Sequence, residues 1–137
     1  MSKPQVVTET LRPSEDVKRQ IDRWADTFLA ERFNYRLQEF AGYSGPYAYP
    51  VAVFAEWRGR HFYLKVRFRA SGHPDAAEVV FPSTRMTSVG FGRFDLAHAR
   101  LGPRWRTTHR GLTAAQCFRR IEMDTAFWPL KVDFQGP

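Results

Sequence analysis

The stretch 60–69 constrains this chain more than any other. Phe62, Leu64, Val66 and Phe68 alternate there with Tyr63, Lys65, Arg67 and Arg69. A period of two sends successive side chains to opposite faces of a strand. The run therefore calls for a sheet with one apolar face, which must be covered, and one face that is basic and aromatic. Residues 51–57 read as a preceding strand, with Arg58-Gly59 as the two-residue turn between them. That turn sets 55 opposite 62, 53 opposite 64 and 51 opposite 66. Val51, Val53 and Ala55 then join the apolar face, and Phe54 lies opposite Tyr63 on the other.

The cover for the apolar face comes first in the chain. After a polar lead-in over 1–13, Ser14 is a good N-cap, and Glu15 and Asp16 follow in the first turn, where carboxylates favour the helix dipole. Val17, Ile21, Trp24 and Phe28 form one helical row; Ala25, Leu29, Phe33, Leu37 and Phe40 form a second. The spacing predicts a helix over 14–41, bent near Asn34. Gly42 to Pro46 and 71–75 read as loops.

Further strands are expected near 77–82, stopped by Pro82, and over 85–90. Gly90-Phe91-Gly92 reads as a turn that needs positive φ. It lacks the third glycine and the lysine of a phosphate-binding loop. Residues 93–100 and 104–110 form a second hairpin around Leu101-Gly102-Pro103. A four-residue loop puts Phe94, Leu96, His98, Trp105 and Thr107 on one face, and Arg104, Arg106, Thr108 and Arg110 on the other; a one-residue slip would undo this separation. In the alternative three-residue register, Asp95 approaches His109. Thr113-Ala114-Ala115-Gln116 is a capping box, flanked by Leu112 and Cys117 as a hydrophobic staple, and starts a short helix to about Met123. The end of the chain, with Trp128, Leu130 and Phe134, is apolar enough to pack down or meet a partner.

The expected fold is a single two-layer α+β domain over 14–137. A long N-terminal helix packs on a curved antiparallel meander of four to six strands, with a short C-terminal helix. The order helix, strands, helix, with Ser44-Gly45-Pro46 before the first strand, resembles that of double-stranded RNA-binding domains. The strand number departs from that pattern, and so does a last helix carrying only Arg119 and Arg120; no residue roles carry over.

At 137 residues and 43% apolar content the chain can bury one core. The single cysteine, Cys117, excludes an internal disulfide and any multi-cysteine metal cage, and a cytoplasmic location is expected. No run suits a membrane span, and residues 1–10 lack the apolar stretch of a secretory signal. His61, His73, His98 and His109 are scattered, so neither a metal nor a cofactor is expected. Net charge is +7, and its distribution is uneven. Residues 58–110 hold eleven basic and three acidic side chains; the remainder holds ten and eleven.

Cations interleaved with rings suit a phosphate backbone and its bases. The leading expectation is a small, basic, non-catalytic accessory protein that binds nucleic acid, DNA or RNA, through Phe54, Tyr63, Lys65, Arg67 and Arg69, joined by Arg104, Arg106 and Arg110. An alternative is a protein-interaction or assembly module that uses the basic face against an acidic partner, or the apolar tail in a homodimer. A third is a ligand binder or enzyme with a pocket between helix and sheet. A charged face also serves simply to keep a sheet soluble and unpaired at its edges.

Overall fold

The computed structural model describes residues 11–40, 47–70, 78–100 and 104–130. The loops at 42–46 and 71–75, the turn at 101–103, His73, Val132 and Phe134 lie outside the described residues.

Helix α1 spans Glu15–Leu29 and begins at Ser14, whose hydroxyl accepts the Val17 N–H at 3.2 Å. It continues into a five-residue π-helix, Ala30–Asn34, and a last turn, α2, Tyr35–Gln38. The π turn has a physical reason. Steps of four residues advance about 40° beyond a full turn in an α-helix. The row Ala25, Leu29, Phe33, Leu37 would therefore swing off the sheet; one wider turn takes up the drift. Phe33 stays fully buried as a result, and Leu37 still packs against the core. The π segment ends at Asn34, the place where the sequence suggests a bend.

Five strands follow: β1 Tyr49–Arg58, β2 His61–Arg69, β3 Val79–Gly90, β4 Arg93–Ala99 and β5 Trp105–Thr113. They form one antiparallel sheet in the order β1-β2-β3-β4-β5. The architecture is the α+β arrangement expected: a long N-terminal helix, a meander sheet and the short helix α3, Ala114–Met123. Thr113 and Gln116 make the reciprocal capping-box bonds at the start of α3. A 3-10 turn, Thr125–Phe127, brings the chain back over β3 and β4: Thr84 donates its hydroxyl to the Phe127 carbonyl, and Phe127 meets His98 edge-on.

Three local expectations are corrected. The first hairpin turns at Gly59-Arg60 rather than Arg58-Gly59, because the chain uses glycine, at φ +59, in the first central place. The two-residue shift preserves the faces but sets Phe54 opposite Lys65, not Tyr63, and Trp57 opposite Phe62; Val51 falls at a register shift between Pro50 and Ala52. Second, Pro82 does not stop a strand. It lies inside the twelve-residue β3 at an irregularity beside Ser83, and β4 pairing begins only at Thr84. Its missing N–H is tolerated because no described strand needs it there. Third, the second hairpin takes the three-residue register: His98 faces Arg106, Ala99 faces Trp105 and Ala97 faces Thr107. Trp105 and Thr107 therefore leave the face of Phe94, Leu96 and His98.

The Gly90-Phe91-Gly92 turn is as expected. Phe91 and Gly92 both have positive φ, 57° and 70°, the requirement of the tight hairpin turn matching strand twist. The core joins Ile21, Ala25, Phe28 and Phe33 to Phe62, Leu64, Val66, Met86, Phe94, Leu96, Cys117 and Ile121. Phe68, expected to be buried, only packs at the margin, beside an apolar groove of about 390 Å³ lined by Ala48, Ala70, Val79 and Phe81. No helix among the described residues is long and apolar enough to cross a membrane.

Candidate functional site

Alternation along each strand places one set of residues on the face turned away from the helices. β1 contributes Phe54 and Glu56, β2 contributes His61, Tyr63, Lys65, Arg67 and Arg69, and β3 contributes Arg85 and Thr87. Ala97 on β4 and Thr107 on β5 continue the row of Tyr63 and Arg85, and Trp105 lies one step along from Thr107.

Three cations lie over three rings on this face. Arg67 sits 4.8 Å from the Phe54 centroid, Lys65 Nζ 5.0 Å from Tyr63, and Arg85 4.7 Å from Trp105. The Tyr63 and Trp105 rings are 5.8 Å apart at a 52° tilt. Cation–ring geometry of this kind stiffens both partners and keeps long side chains flat on the sheet.

Most of the cations are already matched. Lys65 Nζ reaches Glu56 Oε1 at 2.5 Å, and Arg58 approaches the same carboxylate at 3.6 Å. Arg69 donates from Nε at 2.9 Å and Nη2 at 2.5 Å to Glu78 Oε2, while Arg67 lies 3.4 Å from Oε1. Arg110 donates to Asp95 at 3.3 Å. The Lys65 hydrogen bond, supported by the charges of Lys65 and Arg58, holds the Glu56 carboxyl below the usual range. Among the described residues no carboxylate pairs with Arg85, and its Nε is buried without a hydrogen-bond acceptor. His61, whose Nδ1 lies 2.8 Å from Thr87 Oγ1, has its pKa lowered by burial first and then by the charges of Arg85 and Arg60.

Of the sequence-predicted residues, Phe54, Tyr63, Lys65, Arg67 and Arg69 share this face. Arg110 joins them because the register shifts of β5 turn it toward Asp95. Arg104 and Arg106 do not join: they alternate with Trp105, and Arg106 stands opposite His98 on the helix side. Of the remaining middle-third arginines, Arg58 lies against Glu56 and Arg85 over Trp105 on this face, while Arg60 donates to the Ser88 carbonyl and Arg93 to the Gly111 carbonyl. Arg85 and Trp105 are the residues that sequence reasoning missed. Arg85 alternates with Met86 in a segment already read as strand, so its face was available from the pattern.

Other chemistry finds little to build on. Asp95 is engaged by Arg110 and by the Gly111 N–H at 3.0 Å, while His109 bonds Thr108, so the Asp95–His109 approach open to the three-residue register is not made. Cys117 is fully buried, and burial pushes its thiol up to about 12. Among the described residues no three His, Cys, Asp or Glu side chains gather as metal ligands. An open groove of about 500 Å³ between α1 and β1 is lined by Asp22, Asp26, Asn34 and Phe54, and Asp22 already accepts the Trp57 indole N–H at 2.8 Å.

Residues 11–129 match the family described as a domain of unknown function, DUF3024, so the match takes in every strand and helix given above. The chain belongs to the DUF3024 family. Comparison with curated proteins and with solved structures returns no match. In this DUF3024 domain the matched region holds the cation–aromatic face and, among the described residues, every buried core residue except Leu130.

Proposed function

We propose that this DUF3024 domain is a non-catalytic accessory protein that binds nucleic acid through the cation–aromatic face of its sheet. The observation that carries the reading is the interleaving itself: Arg67 on Phe54, Lys65 on Tyr63 and Arg85 on Trp105, spread over β1, β2, β3 and β5. Nucleic acid offers alternating phosphates and π faces, and such a surface meets both. Among the described residues six cations (Arg58, Lys65, Arg67, Arg69, Arg85 and Arg110) stand against three carboxylates (Glu56, Glu78 and Asp95), an excess of three positive charges on the face. The excess is modest, and a modest salt dependence follows: three neutralised phosphates give a log–log slope of about −2 on single strands.

The test is titration of labelled single- and double-stranded DNA and RNA at two salt concentrations. Binding at low salt with a slope near that value is expected. Arg67→Gln with Arg69→Gln should weaken binding to every sequence alike, since phosphate contacts carry no sequence information. Absence of binding at low salt overturns the reading. Equal competition by polyglutamate at matched charge would favour the acidic-protein partner instead.

A further inference from the structure

Arg85 differs from every other cation on its face. Arg58, Lys65, Arg67, Arg69 and Arg110 each approach a carboxylate within 4 Å, whereas no acceptor among the described residues takes a proton from any Arg85 nitrogen. Its Nε is buried without a partner, a condition that costs free energy.

The surroundings explain how an arginine comes to be held this way. Tyr63 stands on β2 and Trp105 on β5, three strands apart, which is about 14 Å at ordinary strand spacing. Their ring centroids are nevertheless 5.8 Å apart, so both side chains lean inward over β3 and β4. Ala97 and Ala99, the β4 residues beside Trp105 and Thr107, are small enough to let the indole cross. The Arg85 guanidinium lies 4.7 Å from the Trp105 ring, the Tyr63 ring stands beside that indole, and Tyr63 is the cross-strand partner of Arg85. The result is a planar cation held against an indole, with a second ring beside that indole and no counter-ion among the described residues.

We propose that Arg85 is the phosphate anchor of a site for unpaired strands, its guanidinium taking the phosphate while an adjacent base lies against the Tyr63–Trp105 pair. The proposal rests on the nucleic-acid reading above and gives that reading a substrate class. A guanidinium fork matches two phosphate oxygens, which the compact ammonium of lysine does not. An unpaired base can leave its strand to meet a ring, whereas in a duplex the bases are stacked inside the phosphates. Lys65, Arg67 and Arg69 would have to give up Glu56 and Glu78 to bind phosphate, so they steer the strand more than they hold it.

The experiment titrates wild type, Arg85→Gln, Arg85→Lys and Trp105→Ala with a labelled oligo-dT or oligo-U and with a duplex of equal length, at two salt concentrations. Near-ultraviolet circular dichroism shows which variants are folded. Wild type should prefer the single strand. Arg85→Gln should cost roughly tenfold or more on single strands, lower the salt slope there by about 0.7, and weaken duplex binding clearly less. Trp105→Ala should cost roughly tenfold on single strands, with no change in slope. If Arg85→Gln does not fold, Arg85→Lys decides: a loss confined to single strands supports the fork, and full affinity overturns it. Wild-type binding without strand preference, or folded variants that bind as wild type, overturns the anchor and leaves the broader reading standing. No binding of any nucleic acid by wild type removes both.

Discussion

At the scale of single residues, the fold sorts ionisable groups by whether they find a partner. Cys117 has none, and its fully buried thiol is pushed up to about 12, chiefly by burial and further by the charge of Asp95. Only the thiolate attacks, so Cys117 should resist a thiol reagent at pH 8 until the domain opens. Labelling in the native state should therefore run far slower than in denaturant and track unfolding; labelling at the rate of a free thiol would contradict the burial. The same shift has a sign for stability. The folded state holds this proton more tightly than the unfolded chain, whose thiol has a pKa of about 8.5. Its contribution is intact below that value and is lost as pH rises toward 12. Glu56 runs the other way: its lowered carboxyl contributes above the ordinary carboxylate range and stops contributing as pH falls through it. With the Glu56 side chain 36% exposed, that contribution is small. Of the two groups, Cys117 is the one that a pH-dependent unfolding series should register.

At the scale of elements, β2 shows what burial does along one strand. Phe62 is fully buried and packs 5.0 Å from Trp57, whereas Phe68 lies at the margin, 5.9 Å from the exposed ring of Phe81. Phe62→Ala should cost about 3–5 kcal/mol, and Phe68→Ala clearly less, because its site can collapse toward solvent. Urea unfolding of the two variants checks this, and equal losses would contradict it. The alternation that placed these residues was legible because a period of two survives any shift of register by two. For that reason the misplaced Gly59 turn left every β2 residue on its expected face. The second hairpin had no such protection. One residue of difference in loop length moved Trp105 across the sheet, and the hydrophobic separation that favoured the other register was overruled by where the large ring finds contacts: Tyr63 and Arg85. The helix was legible to its end except for the π turn, since a stripe in sequence shows which residues face the core but not how the backbone keeps them there. Thr113→Ala, which removes the hydroxyl that accepts the Gln116 N–H at the start of α3, should cost about 1 kcal/mol.

At the scale of the whole molecule, the two ends of the described chain meet on one face of the sheet and close a single core. Trp24 of α1 stacks on Phe118 of α3 at 4.3 Å, and its indole donates to Glu122 at 2.7 Å. Trp128 stands edge-on to Phe33 at 5.5 Å and to Phe28 at 6.4 Å, and its indole donates to the Ile121 carbonyl at 2.8 Å. Leu130 is buried with them. The segment beyond α3 is thus part of the core, as its composition implied for Trp128 and Leu130. Ending the chain after Asp124 removes Phe127, Trp128 and Leu130 together. It also leaves the Thr84 hydroxyl, fully buried in the intact chain, without the Phe127 carbonyl. Loss of a buried Phe alone costs about 3–5 kcal/mol, against a total of about 5–15 kcal/mol for a domain of ordinary stability. The truncated chain should melt far lower or fail to fold, and far- and near-ultraviolet signals of the intact chain should be lost in one transition, because both ends share that core. Because Trp105 stands on the other face of the sheet, the remedy is as informative as the injury. If truncation acts through the core alone, a peptide of residues 125–137 added in excess should restore the fold and, with it, any nucleic-acid binding. A truncated chain that melts like the intact one would show that these side chains add nothing to the core.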